Sequence, residues 1–199
     1  MSRRMVASAE RKEALAAAAE QELDSLASRG VRMTGNAFSS IVLVKGELNE
    51  DERAGGQLLA GADGAALRAA LSALGYAPEE FCALAAVAGS AAEGEAPTDV
   101  EEGAPLPKTL FREALEALDP EVVVLLDDAA ADAMREAYAE ELACIEDFDT
   151  AILTPGLVAY VQGRRVLALG GFEAALAHPR DKQRVWAYLK QLPPEGAPY

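Results

Sequence analysis

The fold of this chain is decided by residues 39–87, which read SSIVLVKGELNEDERAGGQLLAGADGAALRAALSALGYAPEEFCALAAV. The β-branched run over 40–45 predicts a buried strand, and the pattern over 63–74 predicts a helix with Asp63 as its N-cap. Residues 81–87 predict a second buried strand. A long polar, Gly-rich loop follows the first strand, at the place where α/β units bind their ligands. The stretch therefore predicts a strand–loop–helix–strand unit whose loop is a candidate site.

The alternation of apolar runs and helical periodicity continues along the rest of the chain. Further strands are predicted at 121–126, 149–153, 157–161 and 165–169, further helices at 7–28, 108–118, 128–142 and 181–191, and a mobile loop at 89–106. Strands that alternate with helices predict a three-layer α/β/α domain with a short, mainly parallel central sheet. We assign this domain to residues 36–199 and an N-terminal helical extension to residues 1–35.

Charge is distributed unevenly over the 199 residues, whose formal net charge is −15. Residues 93–149 contain eighteen Asp and Glu against three basic residues, so this window alone sums to −15. The C-terminal end is locally basic through Arg164, Arg165, Arg180, Lys182, Arg184 and Lys190. An acidic protein repels nucleic-acid phosphates unless a basic patch outweighs its field locally. Two partners follow as hypotheses: nucleic acid at the basic C-terminal end, or a protein at the acidic 93–149 face. Solvated helix faces would explain the acidic window equally well.

The cysteine content and the hydrophobicity pattern limit the classes to which the protein can belong. No apolar run reaches the ~18 residues that span a bilayer, and no apolar segment follows Arg3 and Arg4, so we expect neither a membrane anchor nor a signal peptide. Cys82 and Cys144 are predicted to be buried free thiols, which suits a reducing cytoplasm. Two cysteines and one histidine cannot supply a four-ligand zinc or iron–sulfur site without carboxylates. We therefore expect no metal and no cofactor.

Three blocks of sequence, in this order, resemble the uracil-DNA glycosylases, and most closely the bacterial and archaeal type that normally carries an iron–sulfur cluster. They read IVLVKGELNEDERAGGQLLAGADGAALRAAL at 41–71, LDPEVVVLLDDAAADAM at 118–134 and VLALGGFEAALAHPRDKQRVWAYLKQL at 166–192. The resemblance covers about residues 39–192. It implies a uracil-DNA glycosylase-like fold and a site at the loop after the first strand. The cysteines that would hold the cluster have no counterparts in this chain.

The first family motif, GEAPG, falls on Gly46, Glu47, Leu48, Asn49 and Glu50, of which the first two match. The resemblance implies that the acidic residue of this loop positions the attacking water, so Glu47 and Asn49 are the candidate catalytic residues.

At the remaining family positions the functional side chains have changed. The aromatic residue that stacks on uracil is replaced by Leu58, and the Asn that reads its edge by Ala85. The terminal motif, whose His stabilises the leaving base, falls on Gly170, Gly171 and Phe172. Leucine lacks a flat ring and alanine lacks a donor and acceptor, so the resemblance predicts a degenerate base site.

Other polar residues near this site have a structural and a functional interpretation. Asp127 and Asp128 follow a predicted strand; either they start the next helix, or they bind a metal or act as a base. His178 with Pro179 is interpreted as the start of a helix rather than as a displaced motif. Lys45 either faces the cleft or extends out to solvent from the strand end.

Three functions remain open on this basis. The first is a uracil-DNA glycosylase-like protein that is catalytically degenerate toward uracil and acts as a binding or interaction module. The second is an active base-excision-repair glycosylase of altered base specificity, with Glu173 or the backbone amides near Gly171 stabilising the leaving base. The third is an acidic assembly protein that recruits a partner.

Overall fold

The computed structural model describes residues 3–77, 81–89 and 100–194. These parts of the chain form an α/β protein with a six-stranded, mixed but mostly parallel sheet and nine helices. The strands are β1 (Met33–Gly35), β2 (Ile41–Lys45), β3 (Phe81–Ala85), β4 (Val122–Leu125), β5 (Val158–Val161) and β6 (Arg164–Ala168). The helices are α1 (Arg3–Ser28), α2 (Glu50–Arg53), α3 (Ala62–Leu74), α4 (Lys108–Leu118), α5 (Asp128–Ala137), α6 (Ala139–Leu142), α7 (Phe148–Ala151), α8 (Phe172–Ala175) and α9 (Pro179–Leu189).

The strand order across the sheet is β1-β3-β2-β4-β6-β5. The four inner strands are parallel to one another, and each outer strand pairs antiparallel with its single neighbour. From β2 the chain passes to β3 on one side, and then returns across the sheet to β4 on the other. The point where the strand order reverses therefore lies between the carboxyl ends of β2 and β4. In open α/β sheets this switch point forms the ligand crevice.

Helices cover both faces of the sheet, as its buried central strands require. Every residue of β2, β3 and β4 is buried, which is typical of parallel strands packed on two sides. On one face the core includes Leu26 of α1, Phe111 of α4 and Met134 of α5. On the other it includes Leu67 of α3 and Val185 of α9. The predicted α/β class and mainly parallel sheet are thus confirmed.

Several predicted elements have different boundaries or a different type. Residues 149–153 are not a strand: Asp147 caps α7 by accepting the backbone N–H of Thr150 at 2.8 Å, and this local cap outweighs the β-branched composition. The single helix predicted over 128–142 is divided into α5 and α6 at Tyr138. Strand β1 and helix α2 were not predicted, and both are only three or four residues long.

The helix after the candidate loop starts one residue earlier than predicted. Helix α3 begins at Ala62, and its N-cap is Gly61, whose lack of a side chain leaves the cap without a side-chain hydrogen bond. Asp63 is therefore not the N-cap, which frees its carboxylate for the contact described below.

The two cysteines differ in environment. Cys82 is buried in β3, and burial raises the pKa of its thiol to about 11. Cys144 is exposed, contrary to prediction, because it lies in the turn that follows α6.

The predicted N-terminal extension contributes to the main body of the protein. Leu26 and Val31 are buried in its core, α1 contacts α4, and β1 pairs with β3. The division at residue 35 stays a prediction. Most of the predicted loop at 89–106 lies outside the described residues. The described part includes an isolated bridge between Val87 and Pro105.

Candidate functional site

The loop after β2 lies at the switch point and is held close to α5. A Cβ added to Gly46 would lie 2.6 Å from the Cβ of Ala129 and 2.8 Å from the backbone nitrogen of Ala130. These distances are too short for any larger side chain without movement of the helix. Gly46, which matches the glycosylase motif, is therefore required here by close packing alone.

Asp127 connects this loop to the helix that follows β4. Its buried carboxylate accepts the backbone N–H groups of Gly46 and Glu47, each at 2.9 Å, and caps α5 by accepting that of Ala130 at 2.8 Å. The interpretation of Asp127 as a helix cap is confirmed, and exposed Asp128 lies in the first turn of α5. With three backbone donors bound, Asp127 acts as a structural cross-link between the two strand ends.

Lys45 ends the fully buried strand β2, and its side chain is itself buried. Its ammonium lies 2.6 Å from the carboxylate of Asp63, 2.8 Å from that of Glu52 and 3.3 Å from that of Glu173. Lys45 therefore faces the cleft and does not extend to solvent. Burial alone would lower the pKa of Lys45, but the hydrogen bonds and charges of Asp63 and Glu52 outweigh it and raise the pKa overall. This lysine stays charged and is unsuited to act as a base or nucleophile.

Glu52 organises the loop around this ion pair. It forms a capping box with Asn49, since each side chain accepts the other residue's backbone N–H at 2.9 Å. Its second oxygen accepts the N–H of Leu59 at 2.8 Å, and Leu59 has the left-handed φ of 55° that a non-glycine residue seldom adopts. The side chain of candidate Asn49 is thus engaged in capping α2.

The positions that the sequence resemblance predicts as a base pocket are occupied by core side chains. Leu48, Leu58, Ala85 and Phe172 are all buried and belong to one hydrophobic cluster. Glu47, in contrast, is exposed at the edge of the cleft.

Gly170 and Gly171 both have positive φ, at 67° and 92°. Through this turn the N–H groups of Gly171 and Phe172 donate to the carbonyl of Leu126, at 3.2 and 2.7 Å. The backbone amides considered as donors to a leaving base are therefore already bound.

A small cavity of about 50 Å³, lined by both charged and apolar residues, remains at the switch point. Four carboxylates, those of Glu47, Asp63, Asp127 and Glu173, line it together with the single ammonium of Lys45. A volume of this size holds one or two water molecules, whose share of liquid volume is about 30 Å³ each. The cavity is therefore both too small for a nucleobase and net acidic.

Phe172 lines this cavity and also a second, apolar one of about 170 Å³. The second cavity lies between α3, α8 and α9; among its lining residues are Ala70, Val185 and Trp186. The same residue therefore contributes to the lining of both spaces.

The remaining predicted residues lie away from the cavity. His178 is exposed and is the N-cap residue of α9, with Pro179 at the first helical position, which confirms its interpretation as a helix start. In the basic C-terminal end, Arg164 pairs with Asp119, Arg184 pairs with Asp181, and Arg165 donates to the carbonyl of Pro193. Several of these basic side chains are therefore already engaged in contacts within the protein.

The site residues that the sequence left unassigned are Glu52 and Asp63. One signal for Glu52 was present, since Asn49 and Glu52 have the spacing of a capping box. No local pattern joins Lys45 to Asp63, because only the packing of α3 against the sheet brings them together.

Within the described residues, no group of three or more His, Cys, Asp or Glu side chains is arranged to hold a metal ion. None of the helices in those same parts of the chain has both the length and the hydrophobicity needed to cross a bilayer.

Comparison with protein-family models and with curated protein sequences finds no significant match to this chain.

Proposed function

We propose that this chain is a uracil-DNA glycosylase-like protein whose base site has been lost, and that it acts as a binding or interaction module rather than as an enzyme. The proposal joins the sequence resemblance to the geometry of the cleft. The loop at Gly46 and the turn at Gly170 lie far apart in sequence, yet both contribute residues around the switch point between β2 and β4. Ligand sites of open α/β sheets lie at this edge.

One observation carries the proposal: the positions that the sequence resemblance aligns with a base pocket lie in the hydrophobic core. Leu58, Ala85 and Phe172 are each no more than 5% exposed, and the space beside them measures about 50 Å³. A flipped base would have to displace packed side chains. The side chains at these positions cannot form hydrogen bonds with the edge of a base. Enzymes that recognise a buried base obtain much of their selectivity from such hydrogen bonds.

Electrostatics supports the same conclusion. The cavity is lined by four carboxylates against one lysine, and that lysine is already paired with Asp63 and Glu52. A strand of DNA at this edge would bring phosphates toward net negative charge, which opposes binding. An excision reaction also needs groups that stabilise the negative charge of the leaving base. Lys45 is the nearest cation, but it is buried and held by carboxylates.

A glycosylase assay tests the proposal directly. The purified protein is incubated with single- and double-stranded oligonucleotides that contain uracil, and abasic sites are measured after alkaline cleavage. We expect no turnover above a buffer control. Turnover that disappears in Glu47→Gln but survives in Glu50→Gln, an exposed carboxylate on α2, would overturn it.

Altered base specificity is the second candidate, and the position of Glu47 favours it. This carboxylate is exposed, lines the cavity and could hold a water molecule. A panel of duplexes with deaminated or damaged bases decides between the two functions. If the protein cleaves one of these bases and Glu47→Gln abolishes the cleavage, the protein is an enzyme and not a binding module. If it cleaves none of them, this second candidate is eliminated.

Nucleic acid remains a candidate partner through α9, where Arg180 and Lys182 are exposed. Anisotropy of a labelled single-stranded oligonucleotide measures this binding. If the basic end is used, Lys182→Glu weakens binding and added salt weakens it further, since phosphate contacts release counterions. A control change, Lys108→Glu on α4, should leave binding unaltered. Equal effects of the two changes would show that binding follows net charge rather than this end of the protein.

A further inference from the structure

Strand β5 lies at one edge of the sheet. It pairs with β6 on one side, and no other strand in the described part of the chain pairs with its outer side. An edge strand presents backbone donors and acceptors to which an extended segment of another protein can add as a further strand. Natural proteins usually protect such edges with charged side chains or proline. The residues of β5 read Val-Ala-Tyr-Val, which includes neither.

Large hydrophobic side chains are exposed around this strand. Tyr160 on β5 is 69% exposed and Phe148 on α7 is 72% exposed. Ile152 lies one helical turn after Phe148 and is exposed on the same side of α7, and Leu157 precedes β5. Helix α7 contacts β5. Strand alternation puts Tyr160 on the same face of the sheet as Val158, whereas Ile145 and Leu153, which flank α7, pack in the core of the opposite face. The exposed side chains therefore lie on both sides of this one edge. We refer to Phe148, Ile152, Leu157 and Tyr160 as the β5 patch.

The chain around the β5 patch is strongly acidic. Residues 139–161 contain no Lys or Arg, and their acidic residues are Glu140, Glu141, Glu146, Asp147 and Asp149. Of these, Glu141 is paired with Arg112. Arg135, which donates to the carbonyl of Ile152, is itself paired with Asp132. Arg165 lies directly opposite Tyr160 on β6, so the excess of negative charge lies toward α6 and α7 rather than around Tyr160.

We infer that the β5 edge binds an extended, basic segment of another protein, which adds as a strand with its apolar side chains toward Tyr160 and its basic side chains toward α7. Main-chain hydrogen bonds would supply affinity, and the acidic residues would select Lys- or Arg-containing segments. A second copy of this chain fits less well, because a two-fold pairing of β5 with itself would bring the same acidic residues together. The inference is independent of uracil excision and concerns a different edge of the sheet.

A short peptide is the probe. An N-acetylated, C-amidated peptide of about eight alternating Lys and Val residues has the length of a strand and the required charge. We expect it to bind, as measured by fluorescence anisotropy, and binding should weaken as ionic strength rises to about 0.15 M because the contacts are partly exposed. A peptide with Glu in place of Lys should not bind. Equal binding of the two peptides would refute charge selection and with it the proposal.

Variants and hydrogen exchange locate the binding. Tyr160→Lys and Phe148→Lys should each weaken binding by about tenfold or more, whereas Phe38→Lys, which changes an aromatic residue that is 67% exposed outside the patch, should have no effect. Peptide binding should also slow amide exchange within Val158–Val161. Binding without this protection would overturn the proposal. So would a concentration-dependent dimer of the free protein that Tyr160→Lys dissociates, because the edge would then serve a second copy.

Discussion

The ammonium of Lys45 lies 2.6 Å from the carboxylate of Asp63, and both side chains are buried. The pair joins the end of the central strand β2 to the first turn of α3, across the loop in which the sequence predicts a site. A buried pair of this kind seldom adds much stability relative to apolar residues, but each partner becomes costly when the other is removed. Glu52 and Glu173 extend the pair into a network that fills the base of the cleft.

Removal of Lys45 should therefore be strongly destabilising. Lys45→Met leaves Asp63 and Glu52 buried without their cation, and we expect the free energy of unfolding to fall by about 3–5 kcal/mol. Urea denaturation followed by circular dichroism measures it. Lys108→Met, at an exposed lysine, is the matched control and should change stability by less than about 0.5 kcal/mol. A similar small loss for Lys45→Met would show that the network is dispensable.

The two adjacent aspartates after β4 should differ sharply. Asp127→Ala removes a helix cap and the hydrogen bonds to Gly46 and Glu47, so we expect a loss of about 2–3 kcal/mol. Asp128→Ala removes only a favourable charge in the first turn, worth about 0.5 kcal/mol. Thermal and urea unfolding of both variants check this order. If Asp128→Ala were the more harmful change, our assignment of the cap would be wrong.

Phe172→Ala should enlarge the two cavities that this residue lines. The loss of a buried phenyl ring costs about 3–5 kcal/mol. The enlarged space should remain apolar on the α9 side and bind a small ring such as benzene, as a cavity of about 150 Å³ does elsewhere. Stabilisation of the variant by benzene in a thermal-shift experiment measures this binding. Phe148→Ala, at an exposed position, keeps the existing cavity, and as the control it should show no larger shift than the wild type.

The loss of folding stability at low pH should depend in part on Glu141. Its hydrogen bond from Arg112 lowers the pKa of this carboxyl below its ordinary value, although partial burial opposes the shift. The pair therefore stabilises the fold above the unfolded-state pKa of about 4.3, and this contribution is lost as the pH falls through the lower folded-state value. In a partly exposed pair the contribution is about 1 kcal/mol or less.

Glu141→Gln tests this dependence. The variant should be less stable than the wild type at pH 7, and the difference should narrow as the pH is lowered below about 4. Urea unfolding at a series of pH values gives the two curves. Glu146→Gln, at an exposed carboxylate in the loop before α7, serves as the control. Curves for Glu141→Gln and wild type that stay parallel over the whole range would contradict the assignment.

Much of the secondary structure follows from local pattern. Strands β2 and β4 are apolar, β-branched runs, and amphipathic α4 has the predicted bounds of 108–118. Errors arose where an element is short. Helix α7 depends on a cap from Asp147, and β1 exists because it pairs with β3. A segment of three or four residues has too little intrinsic preference to be predicted without its tertiary partners.

The loop that the sequence offers as a candidate site lies at the ligand edge of the sheet, but the side chains that surround it were not predicted. The sequence indicated the loop at Gly46, and the structure places it at the switch point beside Asp127. The network of Lys45, Glu52 and Asp63 was not predicted, since charged residues are mostly solvent-exposed and nothing local indicates their burial.

Sequence alone determined the class of fold, the order of the main strands and helices, and the uneven distribution of charge, because periodicity, caps and composition are properties of neighbouring residues. Tertiary structure alone decided that Lys45 meets Asp63, that Phe172 lines the cleft, and that β5 lies at an edge with Tyr160 exposed. Each of these depends on contacts between segments distant in sequence, which form only when the sheet order brings them together.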